Sequence, residues 1–203
     1  MRPLNGPDDI TRALTAVGEL LAADGESYAI VVLGGAALNL LGVIERATRD
    51  VDIVAFASNP ATPAKATLEL PPQPLPPAFA RAIETVASDF GLDPRWLNTG
   101  PDLQMKAGLP PGFQSRLEWR RFAALVVGIA SPIDLIAFKL FAAADGAPGG
   151  RHVHDLVALN PTDRQLDKAA EWVKTQDANT SEFPRIIDQV VIHVREKRDA
   201  AHE

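Results

Sequence analysis

From Tyr28 to Ile44 the chain reads YAIVVLGGAALNLLGVI, and no residue in that run is charged. The run falls short of the roughly 20 apolar residues that a membrane-spanning helix needs. It also carries Asn39 and, in mid-run, the pair Gly34-Gly35, which tells against one continuous apolar helix. What remains is a strand buried on both faces over Tyr28–Leu33, a tight turn at the two glycines, and a short buried helix over Ala36–Leu41 that Gly42 ends. After a polar link, DVDIVAF (Asp50–Phe56) reads as a second strand. Such elements need a sizeable core around them, and 46% hydrophobic with 23% charged residues provides one.

The remaining chain is organised around that centre. Asp8 and Asp9 suit the N-terminal dipole of a first helix, with Ile10, Leu14, Val17 and Leu21 at three-to-four spacing and Gly25 at its end. Ser58–Pro77 is loop-like, and its PPQPLPP segment (Pro71–Pro77) reads as an exposed Pro-rich connection. Phe79–Phe90 is an amphipathic helix with Phe79, Ile83, Val86 and Phe90 on one stripe, followed by Gly- and Pro-broken sequence to about Gly112. Arg116–Phe122 and Ala124–Ile129 are strand-like, forming either a hairpin or one bent strand. Beyond Ser131 four helices are expected, over Pro132–Ala144, His154–Leu159, Asp163–Thr175 and Ser181–Lys197, with start signals at Ser131-Pro132 and Pro161-Thr162-Asp163. The fold class is α/β (α+β): a mixed sheet flanked by helices over residues 1–130, then a helical part over 131–203 that completes the cleft.

Several chemistries are excluded at once. With no Cys there is no disulfide, thiolate nucleophile or Cys-ligated metal. No G-x-G-x-x-G, G-K-S/T or G-x-S-x-G motif occurs, which removes dinucleotide binding, a P-loop and a serine hydrolase elbow. A net charge of −6 argues against a surface coated by nucleic acid, while leaving room for a local basic patch. MRPLNGPDDI lacks the apolar stretch of a signal peptide, so a cytoplasmic protein without a membrane partner is expected.

The chemistry-bearing stretch is Leu33–Phe56. Two glycines straight after a buried strand let bare backbone N–H groups face an anion at a helix start. Asp50 and Asp52 are two apart on the next strand, so both side chains leave one face. Paired carboxylates repel unless a cation lies between them, and Mg²⁺ with its oxygen ligands is the natural one.

Strand, Gly-Gly, helix and an Asp-x-Asp strand together resemble the nucleotidyltransferase superfamily with the polymerase-β-like fold. The closer likeness is to the AbiEii-type toxin branch, whose turn is followed by Arg-x-Thr-x-Asp-x-Asp and whose downstream helix carries Lys-Leu-x-Ala ahead of a further Asp. The matching residues are Gly34, Gly35, Arg46, Thr48, Asp50 and Asp52, then Lys139 in DLIAFKLFA and Asp155 in HDL. The resemblance implies transfer of NMP from an NTP to an RNA (tRNA) or protein acceptor, with an antitoxin protein as a further partner. It implies that the glycines, Arg46, Thr48 and Lys139 handle the nucleotide, that Asp50 and Asp52 hold Mg²⁺, and that Asp155 orients Lys139 or the nucleotide. Ala36 stands where many relatives have a turn hydroxyl, and Leu33 where the toxin branch often has Lys. The third carboxylate of the superfamily has no clear match, Glu118 being the best-placed candidate.

Other residues carry both bland and chemical readings. Lys139 is the only charge between Ile136 and Ala144. It either snorkels or meets a partner, and folding back through the Gly-rich turn Gly146–Gly150 would bring Asp155 to it and both to the cleft of the Asp pair. His152, His154 and Asp155 look like metal ligands but read better as helix-capping residues. Arg116, Arg120 and Arg121 are either a basic patch or a solvated strand face. A catalytically silent nucleotidyltransferase fold, serving as a nucleotide sensor or partner-binding module, is the alternative to an enzyme, and a pure interaction protein is the third reading.

Overall fold

The chain enters through a two-residue strand, β1 (Leu4–Asn5), that leads straight into helix α1 (Gly6–Ala23). The α1 stripe of Ile10, Ala13, Leu14, Val17 and Leu21 is wholly buried. Then follow β2 (Tyr28–Leu33), α2 (Gly34–Leu40), β3 (Ala47–Thr48) and β4 (Val51–Ala57). Strand β2 has the expected bounds; α2 starts two residues before the expected Ala36, at the glycines themselves. Strand β4 starts at Val51, so Asp50 stands just ahead of it. Next come a 3-10 turn (Pro63–Lys65), β5 (Leu68–Glu69), α3 (Pro77–Phe90), β6 (Leu97–Asn98), a second 3-10 turn (Phe113–Arg116), β7 (Glu118–Phe122) and β8 (Leu125–Ile129). The computed structural model describes residues 1–100, 108–144, 150–176 and 181–201. Part of the Gly- and Pro-broken stretch (101–107) and most of the Gly-rich turn (146–149) lie outside those residues.

The sheet is mixed, with strand order β5-β4-β2-β8-β7 and β6 also pairing β4. Strand β2 lies antiparallel to β4 and parallel to β8, and β7 and β8 form an antiparallel hairpin. The hairpin settles the alternative between two strands and one bent strand. Both β5 and β6 pair with β4, at opposite ends: β5 against Phe56 and Ala57, β6 against Val51 and Asp52. The central strands are continuous apolar runs because both faces are covered, which is why β2 and β4 lack alternation. Tyr28, Phe56 and Phe79 form a tilted and edge-on aromatic cluster with centroids 5.4–6.4 Å apart. Strands β1 and β3 form a separate antiparallel pair, Leu4 opposite Thr48 and Asn5 opposite Ala47.

The chain divides into two compact units, Met1–Ala130 and Ser131–Glu203. The second is helical: α4 (Pro132–Ala144), α5 (Arg151–Ala158), α6 (Asp163–Lys174) and α7 (Phe183–Ala200). Thr162 and Gln165 form a reciprocal capping box at the start of α6, which explains the clarity of that boundary in the sequence. Leu140, Leu156, Leu166, Ile187 and Val194 are fully buried in its core. Arg195 ties α7 to α6 through Asp163 at 3.1 Å and Asp167 at 2.7 Å. These pairs are exposed and contribute little individually. Among the described residues no helix is long and apolar enough to cross a membrane.

Candidate nucleotide site

Strand β2 runs directly into α2, and the junction is Gly34, whose φ of +79° lies in the left-handed region that glycine tolerates. A Cβ there would stand 2.5 Å from Asp52 Oδ2. Leu33 is the register partner of Asp52 across β2 and β4, so the missing side chain lets the Asp52 carboxylate close up against the turn. A Cβ on Gly35 would meet Thr48 Oγ1 at 3.1 Å and the Arg46 guanidinium at 3.7 Å. Gly34, Gly35, Arg46, Thr48 and Asp52 therefore form one cluster within the first unit. The bare side of Gly35 faces protein here, so a methyl group at that position would act by pushing Thr48.

Asn39 holds this cluster together. It is fully buried; its amide Nδ2 donates to the Gly35 carbonyl at 2.9 Å, and its Oδ1 accepts from the Arg46 backbone N–H at 3.2 Å. One side chain thus clips the turn to the strand-bearing segment across the loop. In the sequence alone Asn39 is only an interruption of the apolar run. A lone amide in an uncharged run that must be buried was the available signal, because such a group needs partners.

Thr48 is fixed twice. Its hydroxyl donates to the Asp50 carbonyl at 3.2 Å, and its backbone pairs with Leu4. The β1 segment is pinned in turn by Asp9, which accepts from the Asn5 N–H at 3.0 Å, from Arg2 at 2.7 Å and from Arg12. The Asn5 backbone hydrogen bond first, then those to Arg12 and Arg2, hold the Asp9 carboxyl down at about 2, against burial.

On the other side of β4, β6 sets Asn98 opposite Asp52, with Asn98 Nδ2 3.5 Å from Asp52 Oδ1. Trp96 anchors this short strand: it is fully buried, its indole N–H donates to the Ile83 carbonyl at 3.2 Å, and its own carbonyl accepts from Val51 at 2.6 Å. A cavity of about 890 Å³ opens here, with Asp50 and Asn98 in its wall.

Asp50 and Asp52 are both half-buried, Asp52 on β4 and Asp50 just ahead of it. Among the described residues no group of three or more His, Cys, Asp or Glu side chains could hold a metal ion. Two carboxylates nevertheless suit Mg²⁺, which keeps several waters and takes the rest of its shell from substrate phosphates. Asp50 and Asp52 are the residues here that could hold one.

Glu118 does not join the pair. Its register row runs through Ile129 and Val32 to Ile53, on the opposite face from Asp52 and three strands away, roughly 14 Å at the usual strand spacing. Its carboxylate is engaged by Arg120 at 2.6 Å. The three arginines are not one patch either: Arg116 donates to the Pro111 carbonyl, Arg120 to the Leu40 carbonyl, and Arg121 is exposed on the alternate face of β7.

In the second unit Lys139 Nζ lies 2.7 Å from Asp155 Oδ2, with side chains 7% and 2% exposed. Lys139 projects from α4 and Asp155 from the second turn of α5, which starts at Arg151, ahead of the expected His154. His152 and His154 are helical residues, and no three-ligand cluster forms around them among the described residues.

The profile of a family described as a nucleotidyltransferase of unknown function (DUF6036) matches residues 12–146, and the chain belongs to that family. The match takes in the glycine turn, the Asp-x-Asp segment and Lys139, and ends before Asp155. It carries the nucleotidyltransferase class and does not distinguish the toxin branch. No curated protein and no solved structure matches the chain.

Proposed function

We propose that this protein is a Mg²⁺-dependent nucleotidyltransferase that uses an NTP, acts in the cytoplasm where both are supplied, and serves as the toxin of a toxin–antitoxin pair. The observation that carries the enzymatic reading is the closure of Asp52 against Gly34, which sets a carboxylate beside a backbone turn suited to phosphate. Mg²⁺, when bound, screens the triphosphate and the leaving pyrophosphate. Asp50 and Asp52 would hold it. The Gly34-Gly35 N–H groups and the Arg46 guanidinium would take the phosphates, and Thr48 keeps Arg46 and Asp50 in register. An acceptor hydroxyl oxygen bonds to the α-phosphorus, the bond to the bridging oxygen of the β-phosphate breaks, pyrophosphate leaves, and the hydroxyl proton passes to water.

The position of Glu118 favours a second reading, a silent fold that binds nucleotide without turning it over, since no third carboxylate joins the pair among the described residues. Calorimetric titration of the wild type and Asp52→Asn with Mg²⁺–NTP tests the site common to both readings. Binding by the wild type and its loss in the variant supports that site; equal binding removes it.

A further inference from the structure

Resting on the nucleotidyl-transfer reading, we propose that the cavity beside Asp50 is the acceptor subsite, and that its occupant is the end of a nucleic-acid strand held through its phosphates by Arg49 and Arg95. Asp52 lies between two neighbours, Leu33 of β2 and Asn98 of β6. The glycine turn is on the β2 side and the cavity on the β6 side. A carboxylate between a phosphate cradle and a second opening suits transfer, because the acceptor approaches the α-phosphorus from the side opposite the departing pyrophosphate.

The wall of the cavity tells what enters it. Three guanidiniums, Arg2, Arg49 and Arg95, face two carboxylates, Asp50 and Asp93. Arg2 is occupied by Asp9 at 2.7 Å and the Phe90 carbonyl at 2.8 Å. Asp93 accepts the Arg95 backbone N–H at 2.8 Å. The Arg49 and Arg95 side chains are exposed and have no ion-pair or hydrogen-bond partner among the described residues. Two free guanidiniums in one cavity of a chain with net charge −6 form a local basic site, and their planar forks match phosphate oxygens. At about 890 Å³ the cavity is at the upper end of the usual range for ligand sites, roughly 300–1,000 Å³. A neutral peptide hydroxyl would make no use of either guanidinium. RNA and DNA share the phosphate chemistry, and the test separates them.

The experiment compares the full-length wild type, Arg49→Gln/Arg95→Gln, and Arg121→Gln as a control outside the cavity. Fluorescent single-stranded RNA and DNA oligonucleotides of mixed sequence are titrated across a salt series, and Mg²⁺–NTP binding is measured on the same samples. The expected result is at least tenfold weaker oligonucleotide binding by the double variant, with the slope of log K against log salt reduced by about 1.4, two contacts at roughly 0.7 each. Arg121→Gln should bind as wild type does, and all three should bind NTP alike. Preference for the RNA or the DNA oligonucleotide identifies the strand. Oligonucleotide affinity that is absent from the wild type, or unchanged in the double variant while NTP binds, overturns the acceptor assignment and leaves transfer to a protein hydroxyl standing. Wild type that binds oligonucleotide but no NTP overturns the transferase reading instead, and with it the acceptor role.

Discussion

Asp52 and Gly34 are fitted to each other: a Cβ at Gly34 would stand 2.5 Å from Asp52 Oδ2, and the Gly34 φ of +79° already favours glycine. Gly34→Ala therefore meets two penalties, about 1–2 kcal/mol for a left-handed backbone and a further cost for displacing the carboxylate. The second is removed when Asp52 is shortened. Denaturant unfolding should show Gly34→Ala costing less in an Asp52→Ala background than alone. Equal costs in both backgrounds would mean the two residues do not press on each other.

Asp52→Asn keeps the side-chain volume and removes one charge. Relief of repulsion from Asp50 should leave the melting temperature level or slightly higher, while Mg²⁺–NTP binding is lost. A large fall in melting temperature would mark Asp52 as a structural residue.

Asn39→Ala leaves the Gly35 carbonyl and the Arg46 N–H without their shared partner. The expected destabilisation is about 1–3 kcal/mol, with weaker NTP binding as the turn loosens. Asn39→Asp keeps an acceptor for Arg46 but puts a carboxylate oxygen opposite the Gly35 carbonyl, so it should not rescue. Chemical denaturation and calorimetry on both variants measure this.

Lys139 and Asp155 form a pair buried almost completely. Removing one partner takes the buried ion pair from the other, so Lys139→Met and Asp155→Asn should each cost about 3–5 kcal/mol. The double variant Lys139→Met/Asp155→Leu should recover most of that loss. A double variant as unstable as the sum of the singles would contradict a closed pair.

Asp9 gives a pH signature. Its folded pKa of about 2 lies below the ordinary 3.8, so its stabilisation is complete above about pH 4 and disappears as pH falls through 2. The gap in stability between wild type and Asp9→Asn should be constant from pH 7 to about 5 and shrink below 4. Urea unfolding at stepped pH reads that gap directly.

The central elements were legible because their signals are physical necessities. An uncharged run too short for a membrane must be core, and a glycine pair inside it must turn. The pairing of Lys139 with Asp155 was legible for a similar reason, since a lone ammonium on an apolar helix needs a partner. The short strands β3, β5 and β6 were not, because two residues carry no period, and β6 lies in sequence broken by Gly and Pro. Asn98 and Arg95 consequently escaped notice: their position depends on the burial of Trp96, a long-range fact. Glu118 illustrates the opposite failure. Its residue type suited a third carboxylate, but the sheet order and register that remove it become visible only when the strands are paired.

Release of pyrophosphate measures the central claim most directly. Purified protein is incubated with Mg²⁺, total RNA and each α-phosphate-labelled NTP in turn, and both pyrophosphate and labelled acceptor are counted. The account predicts that wild type releases pyrophosphate in step with acceptor labelling for at least one NTP, and that Asp52→Asn does neither. Wild type that binds Mg²⁺–NTP but releases no pyrophosphate with RNA or with a protein lysate would contradict it and leave a nucleotide-binding fold without transfer.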